Sequence, residues 1–252
     1  MEIAGSAALV TGAASGLGAA TAAALAARGA TVYGLDLERS LADASVPDGV
    51  TLLAADVTEE TGVRAALARI DDDRQQLRLA VNCAGIAPSA RIVSRRGPHD
   101  LDLFRTVVGV NLIGTFNVLR LAADAMSRLP AGADGQRGVV INTASIAAFE
   151  AQAGQTAYAA SKAGVVGMTV TAARDLARHG IRVMAIAPGI VDTPMMAGMP
   201  DEVRAGLAAS VPFPQRLARP EEYARLVLMI TAHDYLNGET IRMDGALRMG
   251  PR

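Results

Sequence analysis

Tyr158 and Lys162 stand four residues apart in the run Tyr158-Ala159-Ala160-Ser161-Lys162, and Lys162 is the one lysine in a chain with 23 arginines. On a helix, positions i and i+4 share a face one turn apart, so a phenol and an ammonium at this spacing reach the same small volume. A tyrosine with an ordinary pKa of about 10 is a poor base at neutral pH, and a neighbouring positive charge favours the phenolate and lowers that value. Arginine is a weak substitute, because its planar fork suits carboxylate and phosphate, whereas a compact ammonium bonds two hydroxyls and passes a proton along. The pair suits proton transfer to and from a hydroxyl; taken alone it is also compatible with an ordinary helix-surface pair.

A second constellation lies near the N-terminus. An apolar stretch at 7–11 ends in Thr11 and runs into Gly12-Ala13-Ala14-Ser15-Gly16-Leu17-Gly18 and an alanine-rich helical pattern. Strand, glycine turn and helix start come in the order a dinucleotide site requires, although the spacing is Gly-x-x-x-Gly-x-Gly. Gly12 permits the tight turn, Gly16 lets backbone approach a pyrophosphate, Gly18 allows close helix packing, and the N–H groups around Ser15, Gly16 and Leu17 face the phosphates. Asp36 closes the next strand, where a carboxylate accepts from the adenosine ribose hydroxyls and repels a 2′-phosphate. Ala13, Ala14 and Leu37 supply no compensating cation, which predicts NAD rather than NADP. The plain alternative for Asp36 is a turn cap, and Arg39 is the nearby cation that would favour a phosphate.

The elements that must position these groups are legible as alternation. Short apolar runs near 6–11, 31–36, 50–54, 79–83, 138–144, 181–187 and 239–243 read as strands, and helical patterns fall near 17–28, 59–70, 101–128, 156–178, 201–209 and 220–231. Repeated βα units predict an α/β fold of the Rossmann type: one domain over 1–252, a doubly wound parallel seven-stranded sheet with helices on both faces. A composition rich in Ala, Val, Leu and Ile suits parallel strands under alanine-rich helices. Three segments read as loops, at 86–100, 130–138 and 188–219; the first and third are candidate substrate loops, and the second lies on the opposite edge because it precedes a strand. Met195, Met196 and Met199 within 188–219 suit an adaptable apolar lid or plain packing.

A net charge of −1 without a basic stripe argues against nucleic acid or a membrane surface as partner. The single cysteine, Cys83, excludes an internal disulfide, and neither a targeting segment nor a metal site is expected; the expectation is a cytoplasmic protein. His99, His179 and His233 do not form a site.

Thr11-Gly12-x-x-x-Gly16-x-Gly18, Asp56-Val57, Asn82-Cys83-Ala84-Gly85, Asn111, Ser145, Tyr158-x-x-x-Lys162 and Pro188-Gly189 together resemble the short-chain dehydrogenase/reductase family, over essentially the whole chain. Within it, Gly114 to Val118, Arg137 to Phe149, Ala173 to Leu176, Val211 to Pro214, Leu236 to Glu239 and Asp244 to Ala246 are similar to the type II 3-hydroxyacyl-CoA dehydrogenases, also grouped as type 10 17β-hydroxysteroid dehydrogenases.

The resemblance implies an enzyme that interconverts a secondary alcohol and a ketone, with an acyl-CoA thioester as substrate. Tyr158 would be the general acid and base. Lys162 would bond the nicotinamide ribose and, with the positive oxidised ring, depress the Tyr158 pKa, Ser145 would donate to the substrate oxygen, and Asn111 would hold a water linking Lys162 to solvent. Asp56 and Val57 would flank the adenine, Asn82, Cys83, Ala84 and Gly85 would line the adenosine side, and Pro188, Gly189, Ile190 and Thr193 would hold the nicotinamide amide and phosphates. The family usually has a second asparagine where this chain has Cys83, and the plain reading of that thiol is a small buried hydrophobe. Homotetramers are common in the family, and Ala159, Ala160, Ala163, Gly164 and Gly167 would let the Tyr158 helix approach its copy. Competing readings are an NADPH-dependent 3-oxoacyl-carrier-protein reductase, a hydroxysteroid dehydrogenase, and a nucleotide-sensing protein without turnover.

Overall fold

Strands apolar on both faces assemble in parallel because each must be covered twice. The computed structural model describes residues 1–42, 44–132, 135–196 and 198–251. It contains β1 (Ala7–Thr11), β2 (Thr31–Asp36), β3 (Val50–Ala54), β4 (Leu77–Asn82), a small ribbon of β5 (Val93–Ser94) and β6 (Gly97–Pro98), then β7 (Gly138–Thr143), β8 (Ile181–Pro188) and β9 (Thr240–Met243). Seven of them form one parallel sheet in the order β3-β2-β1-β4-β7-β8-β9. The order reverses between β1 and β4, the crevice where open α/β sheets bind ligands beyond their strands' carboxyl ends.

The helices are α1 (Gly16–Ala26), α2 (Glu38–Leu41), α3 (Glu60–Asp72), α4 (Leu101–Val108), α5 (Thr115–Ser127), α6 (Thr156–Ala177), α7 (Asp201–Ala209) and α8 (Pro220–Ala232). On one face α1 and α8 bury Leu25, Tyr223, Val227 and Ile230 against Val10, Val81, Ile141 and Met184. On the other, α3, α5 and α6 bury Val63, Val118, Met126 and Ala173 against Leu9, Leu35, Val140 and Val183. Each large aliphatic side chain taken fully from water contributes roughly 1.5–3 kcal/mol, and both layers clamp the same strands.

The helix expected over 101–128 is interrupted. Gly109–Gly114 is a π-helical turn between α4 and α5, a form that appears where one residue is extruded from the α ladder. The residue at its centre, Asn111, is wholly buried and must find partners inside the protein. By length and hydropathy Leu101–Ser127 would pass for a membrane span; Val107, Val118, Leu121 and Met126 are instead buried in the body of the protein. The ribbon and α2 went unread in the sequence, each being too short to repeat the pattern that would reveal it. Arg137, from the turn at 130–138, donates its N–H to Gly180 just before β8, on the edge opposite the cofactor turn as expected; Ala133 and Asp134 of that turn, and Ala197 of the 188–219 segment, lie outside the described residues.

The start of α8 is held by Glu222. Its carboxylate accepts from Arg219 N at 2.8 Å and from both Arg216 terminal nitrogens at 2.8 Å. These bonds hold its pKa at about 2, well below the ordinary 4.5. A carboxyl depressed in the folded state contributes stability that is fully present above its unfolded pKa and is lost as pH falls through the folded value. Glu222→Gln is therefore expected to lower the urea midpoint at pH 7, and the gap between variant and wild type should close as pH falls from 4.5 toward about 2; a constant gap would show that the carboxylate charge is not what stabilises this helix start.

Candidate functional site

Two turns meet at the switch point. Gly12, after β1, has φ +67°, and a Cβ there would lie 2.9 Å from Ala84 N in the turn after β4. Thr11 Oγ1 accepts from both Cys83 N and Ala84 N at 3.1 Å, locking the turns together. Gly18 is tighter still: a Cβ would stand 2.1 Å from the Gly12 carbonyl oxygen, so α1 can begin here only with glycine. Ser15, in extended conformation, gives α1 no side-chain cap among the described residues, which leaves the N–H groups at this helix start for an anion. Gly16 (φ +54°) faces Thr193 at ordinary contact distance. This cradle, which any Cβ would fill, fits the pyrophosphate of a dinucleotide.

Asp36 reaches into the same turn, its Oδ2 accepting from Ala14 N at 2.9 Å and its Oδ1 from Leu37 N at 2.8 Å. The turn-capping role is therefore real, and it aims the carboxylate at the cofactor edge. Asp56, exposed, accepts from Thr58 N and Oγ1 at 2.9 and 2.7 Å, while the Val57 side chain packs so closely on Gly114 that a Cβ there would lie 2.7 Å from Cγ2. The Asn82 side chain is engaged within the protein. It is buried in the sheet and donates to Asn142 Oδ1 at 2.9 Å across β4 and β7, leaving Asn82 Oδ1 and Asn142 Nδ2 without a partner among the described residues. Pro188 ends β8, Gly189 N donates to Met243 O, and Gly189 lies so near Asp244 that a Cβ would be 3.0 Å from its Cα. Ile190 accepts from Ala218 N at 3.0 Å, which closes the base of the 188–219 excursion.

The proton-transfer groups gather beside the Gly85 turn. A Cβ on Gly85 would lie 3.1 Å from Asn111 Oδ1 and 3.7 Å from Lys162 Nζ, so both polar atoms flank one point. Asn111 Oδ1 accepts from Ile86 N at 2.9 Å, and its Nδ2 donates to Ile86 O at 2.9 Å and Ser161 Oγ at 3.1 Å. Its side chain therefore ties the Gly85 turn to α6. Ser145 follows β7 and caps a short 3-10 turn, Ile146–Ala148, by accepting from Ala147 N at 3.1 Å. Lys162 Nζ lies 5.8 Å from the Tyr158 ring centroid and donates to the Thr143 carbonyl at 2.7 Å.

The electrostatics of the protein alone depart from the expectation that Lys162 depresses Tyr158. Burial pushes the Tyr158 phenol above its ordinary value, with the Ser145 hydroxyl acting against it. Burial likewise lowers the Lys162 ammonium to about 8. Desolvation outweighs attraction because the nearest bond of Nζ is to a carbonyl rather than to the phenol. Cys83, the thiol in place of the family's asparagine, packs against the α8 layer, and burial raises its pKa.

Residues that sequence pattern did not single out complete the frame. Arg242 pairs with Glu150, just past the Ser145 turn, and with Asp244 Oδ2 at 2.7 Å, so one guanidinium joins the Ser145 side to the Gly189 side. Ile146, Val211 and Leu247 form a small buried cluster that binds the same three segments. Thr143 and Tyr223 are likewise new; the signal for Tyr223 was its rarity, as one of four tyrosines. Met195 and Met199 are 56% and 40% exposed, whereas Met196 is half-buried.

Residues 6–204 match the short chain dehydrogenase family model, and the chain belongs to that family of nicotinamide-dependent oxidoreductases. It is 51% identical to 3-hydroxyacyl-CoA dehydrogenase type-2 of Drosophila melanogaster, with 96% of this chain and 97% of the relative covered. It is 50% identical to the Homo sapiens protein of the same description, covering 99% and 98%. Among solved structures, 3-hydroxyacyl-CoA dehydrogenase type-2 from Mycobacterium avium superposes with a TM-score of 0.91 at 42% identity, over 98% of each chain.

Tyr158→Phe keeps the ring and removes the phenolic hydroxyl, the group expected from the sequence to move the substrate proton. Turnover should fall by roughly 10²–10⁴-fold while dinucleotide affinity stays near wild type; Lys162→Arg should also lose most activity, since a fork cannot enter the site of a buried ammonium. Steady-state kinetics with fluorescence titration of the dinucleotide checks both, and an active Arg variant would overturn the special role of the ammonium.

Proposed function

We propose that the protein interconverts 3-hydroxyacyl-CoA and 3-oxoacyl-CoA thioesters, with NAD as hydride carrier, and that it works as a homotetramer. The observation that carries the substrate is identity near 50% along the whole chain, loops included, to relatives described as 3-hydroxyacyl-CoA dehydrogenase type-2. NAD is supported by Asp36, whose carboxylate, held at the cofactor turn by two N–H donors, accepts ribose hydroxyls and repels a 2′-phosphate.

The nicotinamide, when bound, takes or returns the hydride. Tyr158 takes the alcohol proton in oxidation and gives it back in reduction. Ser145 donates to the substrate oxygen, which fixes its place and steadies charge as the bond order changes. Lys162 holds a ribose hydroxyl and, with its ammonium 5.8 Å from the Tyr158 ring, favours the phenolate once the site is filled. Asn111, at the π-turn, holds the water that links Lys162 to solvent. Exposed Met195, Met199, Val203 and Phe213 give the 188–219 excursion an apolar surface for an acyl chain.

Tetramer assembly is supported by α6. Ala160, Ala163, Gly167 and Val170 make an exposed stripe of small and apolar side chains, and Ile113 and Phe116 are exposed on the neighbouring helix. Gly164 does not belong to that stripe, because it serves Leu112 of its own chain: a Cβ would lie 2.7 Å from Leu112 Cδ2.

Acetoacetyl-CoA should oxidise NADH in the presence of the protein, with kcat/KM at least about tenfold above that with NADPH, and Asp36→Ala should narrow the ratio. Failure of every 3-oxoacyl-CoA in a chain-length panel would sink the substrate class, and equal use of NADPH the cofactor. Light scattering should give a mass near four copies of the 25.9 kDa chain; a monomer would overturn the assembly.

A further inference from the structure

Lys162 is held from behind. Its Nζ donates to the carbonyl of Thr143, the last residue of β7, at 2.7 Å. The Thr143 side chain touches two other oxygens, the Asn82 carbonyl at 2.5 Å and the Tyr223 hydroxyl at 2.7 Å. A hydroxyl has one proton to give and a carbonyl has none. Thr143 therefore donates to Asn82, and Tyr223 is the donor to Thr143. The Tyr223 oxygen remains an acceptor, and the Cys83 sulfur stands 3.8 Å from it. The series runs in one direction, from Cys83 through Tyr223 and Thr143 to the Asn82 carbonyl.

Tyr223 belongs to α8 and is wholly buried on the sheet face opposite α6, which carries Lys162. Burial pushes the Cys83 thiol and the Tyr223 phenol up, so both keep their protons and stay donors. The relay thus crosses the sheet at the end of β7 and fixes the residue whose carbonyl receives the lysine.

We propose that Tyr223 and Thr143 are positioning residues for Lys162: their hydroxyls pin the end of β7 so that its carbonyl takes one ammonium proton and leaves the other two facing Gly85 and Tyr158. This deepens the role given to Lys162 above. The assignment makes α8 part of the proton-transfer apparatus, although no atom of Tyr223 touches the face where a substrate would lie.

The lone lysine makes a direct test possible. Lysine labelled with 13C at Cε gives one side-chain signal, whose pH titration reads the Lys162 ammonium with no substrate present; the wild-type midpoint is expected at about 8. The titratable groups beside it are Cys83 and Tyr158, and both remain in every variant. Thr143→Val and Tyr223→Phe should each lower the midpoint by on the order of 0.5–1 unit, because a desolvated ammonium with a worse acceptor gives up its proton more readily. Thr143→Ser, which keeps the hydroxyl, should titrate as wild type, and the Thr143→Val/Tyr223→Phe pair should shift no further than Thr143→Val alone. An unmoved midpoint in Thr143→Val, or an equal shift in Thr143→Ser, would overturn the proposal; the Val and Ser variants decide it even where Tyr223→Phe does not fold. In turnover, the same variants should raise the pH of half-maximal alcohol oxidation, since a less charged Lys162 holds the phenolate less well. Inactivity of the wild type toward acetoacetyl-CoA would count against the proposed substrate and leave the titration result standing.

Discussion

The Gly12 turn and the Cys83–Gly85 turn lie backbone against backbone at the centre of the sheet, and Thr11 Oγ1 bonds the second to the first. This approach sets the width of the crevice at the switch point. It obliges the chain to place glycine at position 12, whose carbonyl in turn requires glycine at position 18 at the start of α1, and delivers Gly85 to the edge where Asn111 and Lys162 wait. A side chain at any of these glycines would push apart strands whose buried faces allow little relaxation.

Around that contact, the site is built from groups that water no longer serves. Lys162, 4% exposed, is kept soluble in the protein by the Thr143 carbonyl, and Asn111 by the main chain of Ile86. Arg242 does comparable work nearer the surface by joining Glu150 to Asp244. Lys162 and Asn111 are satisfied by backbone at or just beyond the ends of two different strands and Arg242 by two carboxylates, so the strand ends are fixed to one another through side chains as well as through the ladder. A buried ammonium and a buried phenol are each driven toward neutrality by desolvation, and filling the site alters the charges around both.

The sheet, its strands and the long helices were legible because each runs for several periods of its own pattern. Boundaries agreed to within two residues for β2, β3, α6 and α7. The glycine turn, Asp36 and the Tyr158-to-Lys162 spacing were legible for a related reason, since few residue types meet their geometry. What escaped was of two kinds. Elements little longer than one period, such as α2 and the strands of the β5–β6 ribbon, repeat no pattern. Groups that act through distant partners were also hidden: the Asn111 π-turn answers to Ile86 and Ser161, Gly164 answers to Leu112, and Tyr223 on α8 finds Thr143 across 80 positions of sequence. The bond of the Asn82 side chain to Asn142, its register partner on β7, was hidden for the same reason.

The lone lysine has a consequence for the outside of the molecule. With Lys162 buried and the N-terminal nitrogen, beside a Met1 side chain 10% exposed, paired with Asp234, the surface carries its positive charge almost wholly as guanidinium, which remains protonated and is a poor nucleophile. Activated acyl thioesters spontaneously acylate free amines. For the acyl-CoA substrate proposed above, a surface bare of lysine offers such electrophiles almost nothing to modify, and its charge pattern resists the slow acylation that would erode a lysine-coated one.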